Sequence, residues 1–273
     1  MPLAPTLDHV VINTHRDMDA AADAYRRLGF TLTPRGHHSL GSINHLAIFA
    51  TDYLELIGLP ATGGGRADLL DWPRGLNGLV WGSENADQTA SALVAAGVPC
   101  LPAQSFTRPV DLPGGPEDAG FRTVRLPNDT TSAGRLYFCQ HFTRHLVWRD
   151  EWRQHANGTT GVAGAVITAT DPSRLAALFA HMFGPSALRP IDGGHRLAVG
   201  LIWFDVITPA AATERFGPLP ADDRPEAMAV LVLRTRSLAE ATAAIQVSDI
   251  IREAHRILVP PTAAFGAILA FEE

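Results

Sequence analysis

Four times along this chain a β-branched run is followed by a helical stretch and then by further short apolar runs, and no other feature constrains the fold so strongly. The first copy, residues 7–58, is the clearest. Leu7-Asp8-His9-Val10-Val11-Ile12-Asn13 reads as a strand, because β-branched residues suit a pleated backbone. Asp17 and Asp19 then offer carboxylates to a helix N-terminus. Ala21, Ala22, Tyr25 and Leu28 recur at helical spacing, and Gly29 supplies the stop. Residues 30–33, 43–50 and 53–58 complete the copy as strands. A second copy spans 76–142, with strands at 76–82, 98–103, 121–126 and 136–142 around a helix at 86–96. A third covers 162–209 and a weaker fourth 227–273. Each copy has one apolar face that it cannot bury alone, so the modules must pair.

The residues Leu7-Asp8-His9-Val10-Val11, Asp19-Ala20-Ala21, Leu28-Gly29-Phe30, and Asn44 followed by Tyr53-Leu54-Glu55-Leu56-Ile57 carry a resemblance. The stretch resembles the glyoxalase-like branch of the vicinal oxygen chelate superfamily. That resemblance implies an α+β fold in which βαβββ modules pair into half-open barrels around a cleft. First with second and third with fourth gives an N-terminal half at 1–144, a Trp-rich connector at 145–160 and a C-terminal half at 161–273. Metal-dependent relatives take ligands from the first and last strands of a module, positions that fall on His9 and Glu55. His38 and Asn44 fall where this branch carries polar residues, which implies contact with a substrate.

The residues themselves bear on this. Glu55 sits between Leu54 and Leu56, so its carboxylate points opposite to its apolar neighbours. A buried carboxylate needs a cation, a partner or a raised pKa. Tyr137, Cys139 and His141 share one face of the strand at 136–142, and His141 is the expected third ligand beside His9 and Glu55. Such an ion would act as a Lewis acid, or Glu55 would be the general base of a metal-free site. Gly78 stands where the second module would offer a ligand, and in the second half Asp205 aligns with Glu55 but Gly164 aligns with His9. The chemistry is therefore expected in the first half, with the second as a scaffold or a metal-free pocket. Trp148 and Trp152, four apart, would share a face of a helical turn, packing between the halves or, for Trp148, touching a substrate. The loop at 109–120, rich in Pro and Gly, reads either as a lid or as a plain surface excursion.

Composition narrows the partners. A net charge of -6 with no basic run argues against nucleic acid, and no apolar run reaches membrane-spanning length. No signal pattern opens the chain, and Cys100 and Cys139 lack metal-motif spacing, so buried free thiols in the cytoplasm are expected. The expected partner is a small-molecule substrate or ligand, and a homodimer is left open. Two functions remain. One is a divalent-metal-dependent enzyme of the lyase or isomerase type that stabilises an enolate or oxyanion. The other is a metal-free protein that sequesters a small molecule in the same cleft.

Overall fold

The structure, a computed structural model, describes residues 2–273. The first module is β1 (Leu7–Asn13), α1 (Met18–Arg27), β2 (Gly36–His37), β3 (Ile43–Ile48) and β4 (Tyr53–Gly58). The second is β5 (Gly75–Gly82), α2 (Ala86–Ala95), β6 (Gln104–Val110), β7 (Glu117–Arg125) and β8 (Arg135–His141). The third runs through β9 (Thr159–Ala169), α3 (Pro172–Phe183), β10 (Leu188–Ile191), β11 (Gly194–Val199) and β12 (Ile202–Ile207). An added helix α4 (Pro209–Phe216) precedes the fourth: β13 (Glu226–Thr235), α5 (Leu238–Ala244), β14 (Ile251–Arg252), β15 (Arg256–Val259) and β16 (Ile268–Glu272).

These elements form two eight-stranded sheets, ordered β2-β3-β4-β1-β5-β8-β7-β6 and β10-β11-β12-β9-β13-β16-β15-β14. Each is a pair of modules joined by one antiparallel seam, β1 with β5 and β9 with β13, while the first and last strands of each module run parallel. The first sheet curls until its edges approach: Ser39 N–H donates to the Thr107 carbonyl at 2.9 Å, and Thr107 N–H donates to Ser39 Oγ at 3.1 Å.

Several expected boundaries move. Residues 30–33 form no strand, and the strand after α1 is only the short β2. The strand expected at 98–103 lies at β6 instead, and most of the expected loop at 109–120 belongs to the β6–β7 hairpin, where Val110 pairs with Glu117. Pairing across the hairpin outweighs the local Pro and Gly signals, because Pro109 sits on an edge strand where a missing N–H costs little.

Alternating side chains give each sheet two apolar faces. One lines the concave interior and the other meets α1, α2, α3 and α5, which lie between the two sheets in one continuous core, while α4 packs on the interior cluster of the second sheet. There Phe179 and Phe183 of α3 pack on Trp81 of β5, with ring centroids 5.8 and 5.2 Å away. In return Phe30, just beyond α1, meets Phe271 of β16 at 6.0 Å, and Tyr25 of α1 donates its O–H to the Ala264 carbonyl. Trp81 has no exposed surface, so its truncation to Ala would cost about 3–5 kcal/mol.

The connector departs from expectation. Two 3₁₀ turns, Arg144–Leu146 and Asp150–Trp152, replace a single helical face, and Trp148 and Trp152 are only half-buried. Both pack on the interior cluster of the first sheet rather than between the halves. His155 and Asn157 make the ties instead. His155 accepts from Thr31 N–H through Nδ1 at 3.1 Å and donates to the Ile48 carbonyl at 2.9 Å, while Asn157 Nδ2 donates to the Leu28 carbonyl at 2.8 Å.

Asp52 joins the sheets by accepting from the Val162 N–H of β9 at 2.9 Å. Burial pushes its pKa up to about 6 against this bond. Its folded value is raised, so its contribution to stability is full below about pH 4 and is lost as pH rises through about 6. Asp52→Asn keeps an acceptor and removes the buried charge. Urea denaturation at pH 7.5 should show the variant more stable by about 2–3 kcal/mol, with the difference vanishing near pH 4. Equal midpoints at pH 7.5 would refute the assignment.

Candidate functional site

The interior of the first sheet holds the chemistry-bearing side chains. His9 on β1 and Glu55 on β4 point into it, with His9 Nε2 3.6 Å from Glu55 Oε2 and both side chains more than nine-tenths buried. His9 stacks on Tyr53, with ring centroids 4.3 Å apart, and Tyr137 Oη lies 3.2 Å from His9 Nε2. Asn44 on β3 donates to Glu55 Oε1 at 2.7 Å and lies 3.2 Å from His38 Nε2, while His38 Nδ1 donates to Ser42 Oγ at 2.8 Å. His38 therefore faces the cleft rather than solvent. Burial pushes its pKa down to about 4, and nearby Arg108 and Arg66 act in the same direction against Glu55. It is a neutral ring at pH 7.

Asp8 is the residue that alternation hides. A register shift between Leu7 and His9 against β5 makes Asp8 the extra residue of a β-bulge, so it reaches the same side as His9. Its Oδ2 accepts from His9 Nδ1 at 2.7 Å and from His141 Nε2 at 3.0 Å. Burial raises the Asp8 carboxyl, but His141 and His9 together outweigh it and hold the group well below the usual carboxylate range.

This chain bears on a metal. A carboxylate on Nδ1 fixes the proton there and leaves Nε2 as an acceptor, 3.2 Å from Tyr137 Oη, the tautomer that metal-binding histidines use. That nitrogen faces the Glu55 carboxylate at 3.6 Å, so two acceptors converge on one point and fit a shared cation. His141 does not join them. Its Nε2 is turned to Asp8, which stands between it and His9, and its Nδ1 has no partner among the described residues. Asp8, Cys139 and His141 form a separate group of three donors within 4.8 Å of one another, and burial raises the Cys139 thiol well above its ordinary value. Trp148 is not part of the cleft lining: it lies edge-on to Tyr53 at 5.4 Å and to His141 at 5.1 Å, and the Arg144 guanidinium covers its ring.

The glycines at the expected ligand positions are packing sites. A Cβ at Gly78 would stand 2.9 Å from the Val11 side chain, and one at Gly164 would run into the Trp203 ring. Trp203 pairs with Gly164 as Tyr53 pairs with His9, so the alignment of the two halves holds at the level of register. Asp205, in the place of Glu55, is fully buried between Arg196 and Arg215, accepting from Arg196 Nη2 and Arg215 Nη1, each at 2.7 Å. Two guanidinium groups saturate it, and no acceptor is left to share.

Sequence reasoning also missed four arginines. Arg66, Arg108, Arg125 and Arg135 all line the cleft with Glu55. Arg135 was within reach, since it alternates with Tyr137 and Cys139 on β8. Arg108 and Arg125 depend on curvature that brings β6 and β7 over the first module, and Arg66 reaches the cleft from the loop after β4.

A curled sheet of two βαβββ modules around a buried His–Glu pair defines a vicinal oxygen chelate protein. The chain belongs to the glyoxalase-like domain family within that superfamily, whose profile matches residues 7–183. No curated protein matches the chain. Its fold is similar to that of a hypothetical protein from Staphylococcus aureus, with a TM-score of 0.68 and 11% identity over 98% of each chain. A mutant 4-hydroxymandelate synthase from Streptomyces coelicolor gives 0.56 and 11% over 99% of this chain and 92% of that one. A xylose isomerase-like TIM barrel/4-hydroxyphenylpyruvate dioxygenase fusion protein gives 0.58 and 11% over 100% of this chain and 49% of the other. Likeness at this identity shows the fold alone.

Asp8→Ala should leave two buried imidazoles without their shared acceptor. Denaturation at pH 7 should show a loss of about 3 kcal/mol, the scale for breaking a buried charged pair. A loss below about 0.5 kcal/mol, the scale of a neutral surface change, would mean that Asp8 does not organise the histidines.

Proposed function

We propose that this protein is an enzyme of the lyase or isomerase type that moves a proton on a small organic substrate in the first half-barrel. Glu55 is the base. Asn44 fixes one of its oxygens and leaves the other toward His9, so a proton taken from a substrate carbon is received at Oε2. His9 Nε2 and Glu55 would hold a divalent ion, which when bound polarises a substrate carbonyl and favours the enolate, and Oε2 would take the proton only while it is not bound to that ion. Tyr53 and Tyr137 flank His9, and burial keeps both phenols protonated, so Tyr137 can donate to an oxyanion at neutral pH. The C-terminal half acts as a scaffold. The single observation behind this reading is the Asp8–His9–Glu55 chain, with two acceptors meeting in a closed cleft.

A second reading rests on a different observation. The cation site has two protein donors rather than three, and arginines share its cleft. A metal-free protein that sequesters a small ligand would also be built this way.

Calorimetric titration with Mn²⁺ and Zn²⁺ separates the two. The wild type should take up one ion per chain, and His9→Ala and Glu55→Gln should each weaken uptake by roughly tenfold or more, the scale of a lost ligand or its support. His141→Ala should change it far less, because that ring addresses Asp8. Uptake that is unaltered in both His9→Ala and Glu55→Gln would discard the site, and a wild type that takes up neither ion would put the sequestration reading ahead.

A further inference from the structure

Arg108 and Arg135 carry more charge into the cleft than the protein answers. Arg108, on β6 beside Phe106, is only 3% exposed, and its Nε and Nη2 have no hydrogen-bond partner among the described residues. Arg135, on β8, is 8% exposed; its Nε donates to Asn77 Oδ1 at 2.9 Å, but Nη2 is unpartnered. Both side chains line the same cleft as Glu55. Arg66 is different, since Asp68 answers it with two bonds of 2.8 Å. Arg125 meets only the neutral Gln104, at 2.8 Å.

Guanidinium groups stay charged in proteins, and a buried one with open donors destabilises the fold that holds it. Glu55 is the one carboxylate in the lining, against three arginines with no carboxylate bonded to them. The deficit is therefore a negative group that comes from outside. A second, outer cavity shares Arg66, Arg125, Arg135 and Tyr137 with the cleft, so the arginines stand along the way in. Between them the walls are apolar: Phe106 and Phe121 stack 5.1 Å apart, with Leu46 and Ile57 on the opposite module.

Given that the cleft is the substrate site, we propose that it takes an organic oxyanion, a carboxylate or phosphate ester on an apolar body, and that Arg108 and Arg135 bind the charged group. A planar fork of N–H donors suits either oxyanion, and open donors already desolvated need no further desolvation when the ligand enters. The same arginines would oppose a neutral ligand, which would leave their nitrogens unpaired.

Benzoate, phenyl phosphate and the neutral benzamide test this by calorimetry on EDTA-treated protein, so that no metal is involved. Wild type should bind at least one of the two anions tenfold or more tightly than benzamide, and the tighter one identifies the oxyanion. Arg108→Gln and Arg135→Gln should each lose tenfold or more of that affinity, and Arg108→Lys should recover part of it. Arg108→Met should also melt several degrees higher than wild type when ligand-free, because an unpaired buried charge is gone. Benzamide binding as tightly as both anions, or unaltered anion affinity in both Gln variants, overturns the proposal. Failure of both anions to bind, with metal uptake through His9 and Glu55 intact, overturns the anion subsite alone. Anion binding with no metal uptake supports the subsite and overturns the metal reading alone.

Discussion

The antiparallel seam between β1 and β5 is what the first half depends on. It joins two modules that each expose an apolar face, and it brings the β4–β1 pair, which carries Glu55 and His9, to within one strand of β8, which carries Tyr137. The seam is not regular. Its register slips at Asp8, and that one extra residue turns a carboxylate inward between His9 and His141. A perfectly paired strand would have pointed Asp8 to the other face of the sheet. The bulge thus decides the tautomer of His9 and, through it, which nitrogen faces Glu55.

Charge in the cleft is distributed with unequal care. Asp8 is doubly answered, Glu55 is held by Asn44, and Arg66 is closed by Asp68. Arg108 and Arg135 are left with open donors in the same buried space. Folded proteins pair their buried polar groups, so open ones cluster where a ligand completes the set.

The C-terminal half shows the same frame without the His–Glu pair. Its strands repeat the order and the register of the first, yet Trp203 covers Gly164 and two arginines saturate Asp205. A filled interior makes this half a wall against which α1 and α3 pack, and the shared helix layer ties both halves into one core. Fold and side-chain constellation are therefore separable in this chain, since one copy of the frame holds the His–Glu pair and the other fills those positions with packing and an ion-paired carboxylate.

The sequence by itself determined the modules. Hydrophobic alternation and helical spacing are local, so β1, α1, β4 and β8 and the inward face of Glu55 could be read from neighbours a few residues away. The alignment of Gly164 with His9 and of Asp205 with Glu55 was legible for the same reason, as repeated modules keep their register. Only the tertiary structure decided the rest. The bulge at Asp8, the diversion of His141 to Asp8, the ties through His155 and Asn157 and the inward arginines of β6 and β7 all arise where distant strands meet. Side-chain direction there depends on how the sheet curls and where its register slips, and neither is encoded in the spacing of residues along one strand.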